Sequence, residues 1–332
     1  MKKCRFINNR IPGDLSGGGG LSLKVTTMAK CSLIVSHCYF AENRAGFGGA
    51  MGLVTQGGTY QLDLYDSVFE QNTALEGGAL SSRYTEFQQG RMIYMVNCVY
   101  RRNSASKSGG ALITGGGKVE SAYCLFDNNS VANNQFSEGG GAINISNSSP
   151  TFSDCLFSNN KAPLGGAIYS ESTTASTTPE FINCTFADNS ATVAGGVIST
   201  KSSYTPPVAV TNETTLTNCI AWGNSAPLKP FFHSQPNDQT ALLNATYSLI
   251  QGGYTGIGNI SANPFFSNPA TGNYQLLASS PAINAGSPDT SFLPSFDLAY
   301  QQRIQNGRVD MGAYEFGCIA APCPPVSAQR IR

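Results

Sequence analysis

Asparagine stands five residues after the start of each of eight blocks: Asn9, Asn43, Asn72, Asn103, Asn129, Asn160, Asn189 and Asn224. The blocks open at Cys4, Cys38, Ser67, Cys98, Cys124, Cys155, Cys184 and Cys219, at spacings of 34, 29, 31, 26, 31, 29 and 35 residues. Two residues after the opening, seven of the eight blocks carry an aromatic: Phe6, Phe40, Phe69, Tyr100, Phe126, Phe157 and Phe186. Six contain a Gly-Gly-small-apolar phrase, such as GGAM (48–51), GGAI (165–168) and GGVI (195–198). A fixed motif with variable gaps describes stacked coils whose excursions differ in length. One such coil cannot bury its own apolar face, so it needs neighbours that match it.

The motif also gives the shape of a coil. Its segments are short, β-branched or aromatic, and punctuated by Gly and Asn, which argues for strands. Three residues before the block opening the chain is mostly apolar (Val35, Leu64, Met95, Phe152, Phe181, Leu216); one residue before, it is mostly polar (His37, Asp66, Asn97, Asp154, Asn183, Asn218). Strict period-two alternation would put the position three before and the opening residue on opposite faces. Both read as core, so the phase slips between them, at a bend that Asn or Asp accommodates in a left-handed backbone. The Asn column marks the next corner, and Gly-Gly turns into a third strand whose Met51, Leu80, Leu112, Ile143, Ile168 and Ile198 point inward. The expected fold is all-β: a right-handed parallel β-helix, a three-sheet solenoid of about eight or more coils, with a C-terminal cap. Residues 1–230 form the coils, residues 231–317 the last coils and the cap, and residues 318–332 a flexible tail. Asn side chains stack as an amide ladder and bond the backbone at their corner. Cys124, Cys155, Cys184 and Cys219 form one inward column, and Phe126, Phe157 and Phe186 another.

Composition narrows the function classes. Twenty basic residues against 20 acidic give zero net charge, which argues against an electrostatic nucleic-acid binder. Charged residues are 12% and Gly is 36 of 332, the balance of an extracellular β-protein. No run of 18 apolar residues exists, and MKKCRFINN is not a signal peptide. The first block begins at once, where a solenoid normally carries a cap. A truncated reading frame, lacking an export signal and upstream coils, is therefore expected.

The FxxN and GGAI phrases, over roughly residues 4–226, closely resemble the repeats of the polymorphic outer membrane proteins of Chlamydia. They also resemble other right-handed β-helix proteins of the pectate-lyase-like superfamily. A second resemblance runs from CIAWGNSA (219–226) through YSLIQGG, NPFF and NYQLLASSPAINAGSP to FDLAYQQRIQNGRVDMGAYE (296–315). It is to the choice-of-anchor ending of secreted bacterial β-helix proteins. Asp297, Arg303, Asp310, Gly312 and Glu315 match that pattern, whereas Asn263 and Asn284 stand where it usually has Asp. The resemblance implies a cap role for Asp297, Arg303, Asp310 and Glu315. The tail GCIAAPCPPVSAQRIR carries no LPxTG-like, hydrophobic or barrel anchor.

Residues with chemistry admit two readings each. Ten Cys in a secreted chain suit disulfides, and stacked neighbours in the Cys124–Cys155–Cys184–Cys219 column lie within bridging range. The stronger reading is that the column serves as small apolar filler. Cys318 and Cys323 lie outside it and can pair with each other. Zinc is disfavoured, since no CxxC exists and His37 and His233 are the only histidines. Lyases and glycosidases need clustered carboxylates; here Glu42 and Asp188 share a column five coils apart, Glu76 and Glu138 lie two coils apart, and Asp63 and Asp66 are local neighbours. Insertions can still assemble a site. GGGG (17–20) and GGYTGIG (252–258) lack the Lys-Ser/Thr of a phosphate loop and read as turns. The position after the opening, expected to face solvent, holds Val68, Val99, Leu125, Leu156 and Ile220. Excursions such as 81–92 or 171–180 cover this strip, or it is a lateral contact surface. Trp222, Tyr254 and Tyr274 serve as a sugar platform, or as core and cap.

The function expected is a secreted or cell-surface, non-enzymatic, adhesin-like protein, monomeric, with an extracellular protein or glycan ligand. It has no nucleic-acid partner, cofactor or metal, and any outer-membrane association runs through missing segments. The alternatives are a polysaccharide lyase or hydrolase and a carbohydrate-binding surface module.

Overall fold

Each block forms one rung of a parallel β-solenoid in the computed structural model, which describes residues 1–11, 17–25, 29–55, 57–82, 90–132, 138–202, 210–235, 240–291, 293–305 and 307–317. The aromatic motif sits on a nine-stranded sheet that starts at Arg5–Ile7 and Tyr39–Ala41 and ends at Ile220–Trp222 and Leu249–Ile250. An eight-stranded lead sheet precedes it in each rung, from Lys30–Ser36 to Ala241–Thr246. A second eight-stranded sheet follows the glycine pair, from Leu21–Val25 to Phe232–Ser234. Pairing is parallel and like sits on like: Phe126 pairs with Phe157 and Phe157 with Phe186, Leu112 with Ile143 and Ile143 with Ile168. Helix is confined, among the described residues, to the turn Pro269–Thr271.

Besides the three expected sheets there is a fourth. The stretch between the Asn and the glycine pair, read from sequence only as a corner, forms a six-stranded ladder from Arg44–Phe47 to Ser190–Ala194. It escaped the pattern because its strands run only two to five residues and shift register midway.

Corners fall where the backbone turns left-handed. The residue before each block opening has positive φ, among them His37, Asp66, Asn97, Tyr123, Asp154, Asn183 and Asn218 at 48–55°. So does the residue before each ladder Asn, such as Glu42, Gln71, Arg102, Asn128 and Asn159. Two such bends bracket the aromatic strand and account for the phase slip. The first glycine of each pair is also left-handed, as at Gly109 (φ 63°). The second is demanded by space: a Cβ on Gly110 would lie 2.0 Å from the Gly141 carbonyl oxygen of the next rung.

Inside, Phe6, Phe40, Phe69, Tyr100, Phe126, Phe157 and Phe186 stack with ring centroids 4.7–4.9 Å apart and planes within 10°. That spacing is the strand spacing itself, so stacked backbones place the rings in contact without adjustment. Phe152 and Phe181 form a second pair, edge-on to the first column.

The C-terminal region closes the molecule in two places. Residues 254–260 plug the last rung: Ile260 bridges to Leu249, and Asn259 accepts the Ser248 N–H at 2.9 Å while donating to the Ala245 and Tyr254 carbonyls. The described residues between 266 and 314 then return along the outside of the aromatic sheet as a strap. Leu156 and Ala187 lie beneath Tyr274, Leu298, Ala299, Ala313 and Tyr314; Ile220 and Leu249 lie beneath Leu276, Ala282 and Met311.

That strap corrects one expectation. The position after the block opening does not face solvent in these rungs: Leu156 and Ile220 are 1–2% exposed and Leu125 packs against the same cluster. The 171–180 excursion is not what covers them; of the 81–92 excursion, 83–89 lie outside the described residues. As a lateral contact surface for a partner, Leu125 and Leu156 are unavailable because the chain's own C-terminal part occupies the strip.

Candidate functional site

The Asn column is saturated with hydrogen bonds. Asn129 donates through Nδ2 to Asn160 Oδ1 (3.0 Å) and to the Tyr100 carbonyl (2.9 Å); its Oδ1 accepts the Asn103 backbone N–H and Nδ2, both at 3.0 Å. The pattern repeats from Asn9 through Asn43, Asn72, Asn103, Asn160 and Asn189 to Asn224. Only a side chain with one acceptor and two donors in a short amide satisfies both the neighbouring rung and its corner. From Asn43 to Asn189 the residues are fully buried, so the column is scaffold and has no face free for a ligand.

The cysteine column has a hydrogen-bonding role. Cys38, Cys98, Cys124, Cys155, Cys184 and Cys219 are free thiols, each donating to the carbonyl two residues earlier at 3.2–3.5 Å. Ser67 and Ser248 make the same bond at 2.8 and 2.9 Å. The position therefore selects a small donor that ties off the left-handed bend. The serine at the opening of one block was the sequence signal for this. Burial pushes the Cys98, Cys155 and Cys184 thiols well above their ordinary range, which makes them poor nucleophiles. Cys318 and Cys323 lie outside the described residues.

A buried ionic cluster fastens the strap. Arg303, fully buried, donates Nη2 to Asp154 of the solenoid, and Nη1 to Glu315 Oε1 (2.8 Å) and the Gly312 carbonyl (3.1 Å). Asp297 accepts the Ala299, Gln301 and Glu315 N–H groups, and Asp310 those of Asn284 and Phe316. Burial pushes Asp154 up to about 6 and Glu315 up to about 8, against the opposing pull of Arg303; Asp297 and Asp310 are raised too, again by burial. The matched quartet Asp297, Arg303, Asp310 and Glu315 thus meets in one place, on the side of the helix and not over its end. What the sequence hid was the partner: Asp154 lies 149 residues from Arg303, in a bend where Asp reads as a turn residue. Above it Asn183 and Asn218 continue the chain of hydrogen bonds, and Asn218 accepts the strap's Ser287 N–H at 2.7 Å.

The remaining candidates disperse. Tyr274 is buried, its hydroxyl donating to Asp188 at 3.0 Å, and Trp222 flanks the same strap. Tyr254 lies instead at a cavity of about 690 Å³ beside the last rungs, with Phe231, Phe232 and His233. The three aromatics form no common platform. Burial holds His233 below its usual range, and its Nδ1 is 3.1 Å from Ser199 Oγ. Glu76 and Glu138 both reach Lys107 Nζ, at 2.7 and 3.4 Å, from the rungs on either side. Glu70 accepts from Tyr39 and Arg101, Asp63 from Gln61, and Asp66 from Asn97. Glu42 sits exposed on its bend. Among the described residues, these carboxylates answer to their own neighbours and do not face one another across a groove.

Continuous ladders of Asn, Phe and small donors, wound by two left-handed bends and a glycine pair, define a parallel β-helix protein. Two of its rungs, residues 154–171 and 183–201, match the Chlamydia polymorphic membrane protein repeat, and the chain is a β-helix protein resembling those repeats. A metabotropic glutamate receptor-like protein R of Dictyostelium discoideum is 29% identical over 130 residues, 39% of this chain. The match spans 7% of that protein's length.

Proposed function

We propose that the chain is a secreted or surface-displayed, non-enzymatic interaction protein of adhesin-like kind. The observation that carries this reading is the match of two rungs to a membrane-protein repeat, in a solenoid whose inward Asn and Cys columns are engaged in holding the rungs together. Chemical variety is left to the outward columns and the excursions, where a displayed scaffold meets partners. A description of the site as a catalyst would need convergent titratable groups; the buried acids instead fasten the strap.

Two measurements test this. Antibody against the purified chain should label intact source cells without permeabilisation, and added protein should compete with their attachment to a substratum. Labelling only after permeabilisation would overturn the surface reading. Release of unsaturated product from polygalacturonate, with or without calcium, would replace it with the lyase.

A further inference from the structure

One outward column of the fourth sheet contains no acid. It is the position after each ladder Asn, and backbone pairing runs it unbroken through eight rungs, from Arg10 to Ser225. Three of its members are cations: Arg10, Arg44 and Lys161, all exposed. The others are hydroxyls, Thr73, Ser104, Ser130 and Ser190 among them. Arg10 and Arg44 are directly paired rungs, so two like charges sit one strand spacing apart, about 5 Å. Stacked like charges are unfavourable unless something anionic lies against them, and no carboxylate pairs with either among the described residues. The acid nearest Arg44 along the chain, Glu42, stands on the adjacent bend; the acid nearest Arg10, Asp14, lies outside the described residues. The end of the molecule holding this pair is cationic overall: residues 1–51 carry seven of the 20 cations and two of the 20 acids.

We propose that this ridge binds an extended anionic polysaccharide, one bearing sulfate or carboxylate groups along its length. The inference rests on the surface-interaction reading and adds a partner class and a place. The rungs make a straight row about 34 Å long, long enough for several sugar residues. Arginines at one end and a lysine further along take the anionic groups as charge-assisted hydrogen bonds, and the hydroxyls between them suit sugar hydroxyls. Nucleic acid is a poorer fit, since it rewards dense cations and stacking aromatics, and this column has three cations in eight rungs and no ring.

The test is binding of the full chain to immobilised heparin, polygalacturonate and neutral dextran in low salt. Heparin or polygalacturonate should retain the chain and dextran should not; retention on polygalacturonate shows that carboxylate suffices, and retention on heparin alone shows that sulfate is needed. The triple variant Arg10→Gln, Arg44→Gln, Lys161→Gln should bind at least tenfold more weakly with an unchanged melting curve, because all three side chains are exposed. Lys24→Gln with Lys30→Gln, exposed cations of the same end on other sheets, should bind as the parent does. Equal loss in both variants, equal retention on dextran, or tighter binding to duplex DNA than to either glycan would overturn the ridge. Ridge failure with cell attachment intact leaves the surface reading standing; failure of surface labelling removes that reading while the glycan measurement still stands by itself.

Discussion

Single residues in this protein are chosen by what the rung above and the rung below require. Asn129 makes four hydrogen bonds that no other side chain reproduces. With each buried bond contributing about 1 kcal/mol, Asn129→Ala should destabilise by about 3–4 kcal/mol in urea melts. Asn9→Ala, at the exposed end of the column, should cost under about 1 kcal/mol; equal losses would mean the column is not cooperative. The thiols are donors with serine equivalents at Ser67 and Ser248. Cys155→Ser should therefore fold with a loss of about 1 kcal/mol or less, and the eight described cysteines should all react with a thiol reagent after unfolding without reductant. Fewer reactive thiols would restore the disulfide framework. Gly110→Ala should be far worse, since its methyl would meet a backbone oxygen that cannot move without its rung.

The strap is the element whose behaviour follows from charge. Removing one partner of a buried ion pair costs about 3–5 kcal/mol, so Arg303→Met should loosen the strap, read as faster proteolysis between residues 263 and 317. An unchanged cleavage rate would mean that apolar packing alone holds it. Its pH dependence has a definite sign. Asp154 at about 6 and Glu315 at about 8 both lie above their ordinary values of 3.8 and 4.5, so the fastened strap binds more protons than the released one. The stability these two groups contribute is fully present below about pH 4 and falls as pH rises through 6 and then 8. Amide exchange at Leu276, Met311 and Ala313, corrected for intrinsic rates, should open progressively from pH 5 to pH 9. Protection that rises over that interval would contradict the assignment. Gly312 shows how closely the strap lies: φ is +93° and a Cβ would stand 2.7 Å from Ile220 Cδ1.

At the scale of the whole molecule the rungs differ in support. Those from Tyr123 to Leu249 are clamped from outside by the strap, through Tyr300 on Tyr123 at one end and Leu276 on Leu249 at the other; among the described residues, the rungs before them are not. Arg303→Met should therefore lower exchange protection in the clamped rungs and leave strands such as Thr59–Tyr65 unaffected, because a solenoid couples mainly to nearest neighbours. Much of this was legible in the chain itself. The repeat of Asn, aromatic and Gly-Gly determined the parallel ladders, the inward columns and the bend before each opening, because each depends only on a residue and its copy one rung away. The apolar residues after the openings, Leu156 and Ile220 among them, announced that something covers them, yet not what. Tertiary structure alone decided that the cover is the C-terminal strap, that Asp154 meets Arg303, and that Lys107 joins Glu76 to Glu138. These contacts join single residues that have no counterpart in the neighbouring rungs, so no periodicity in the sequence records them.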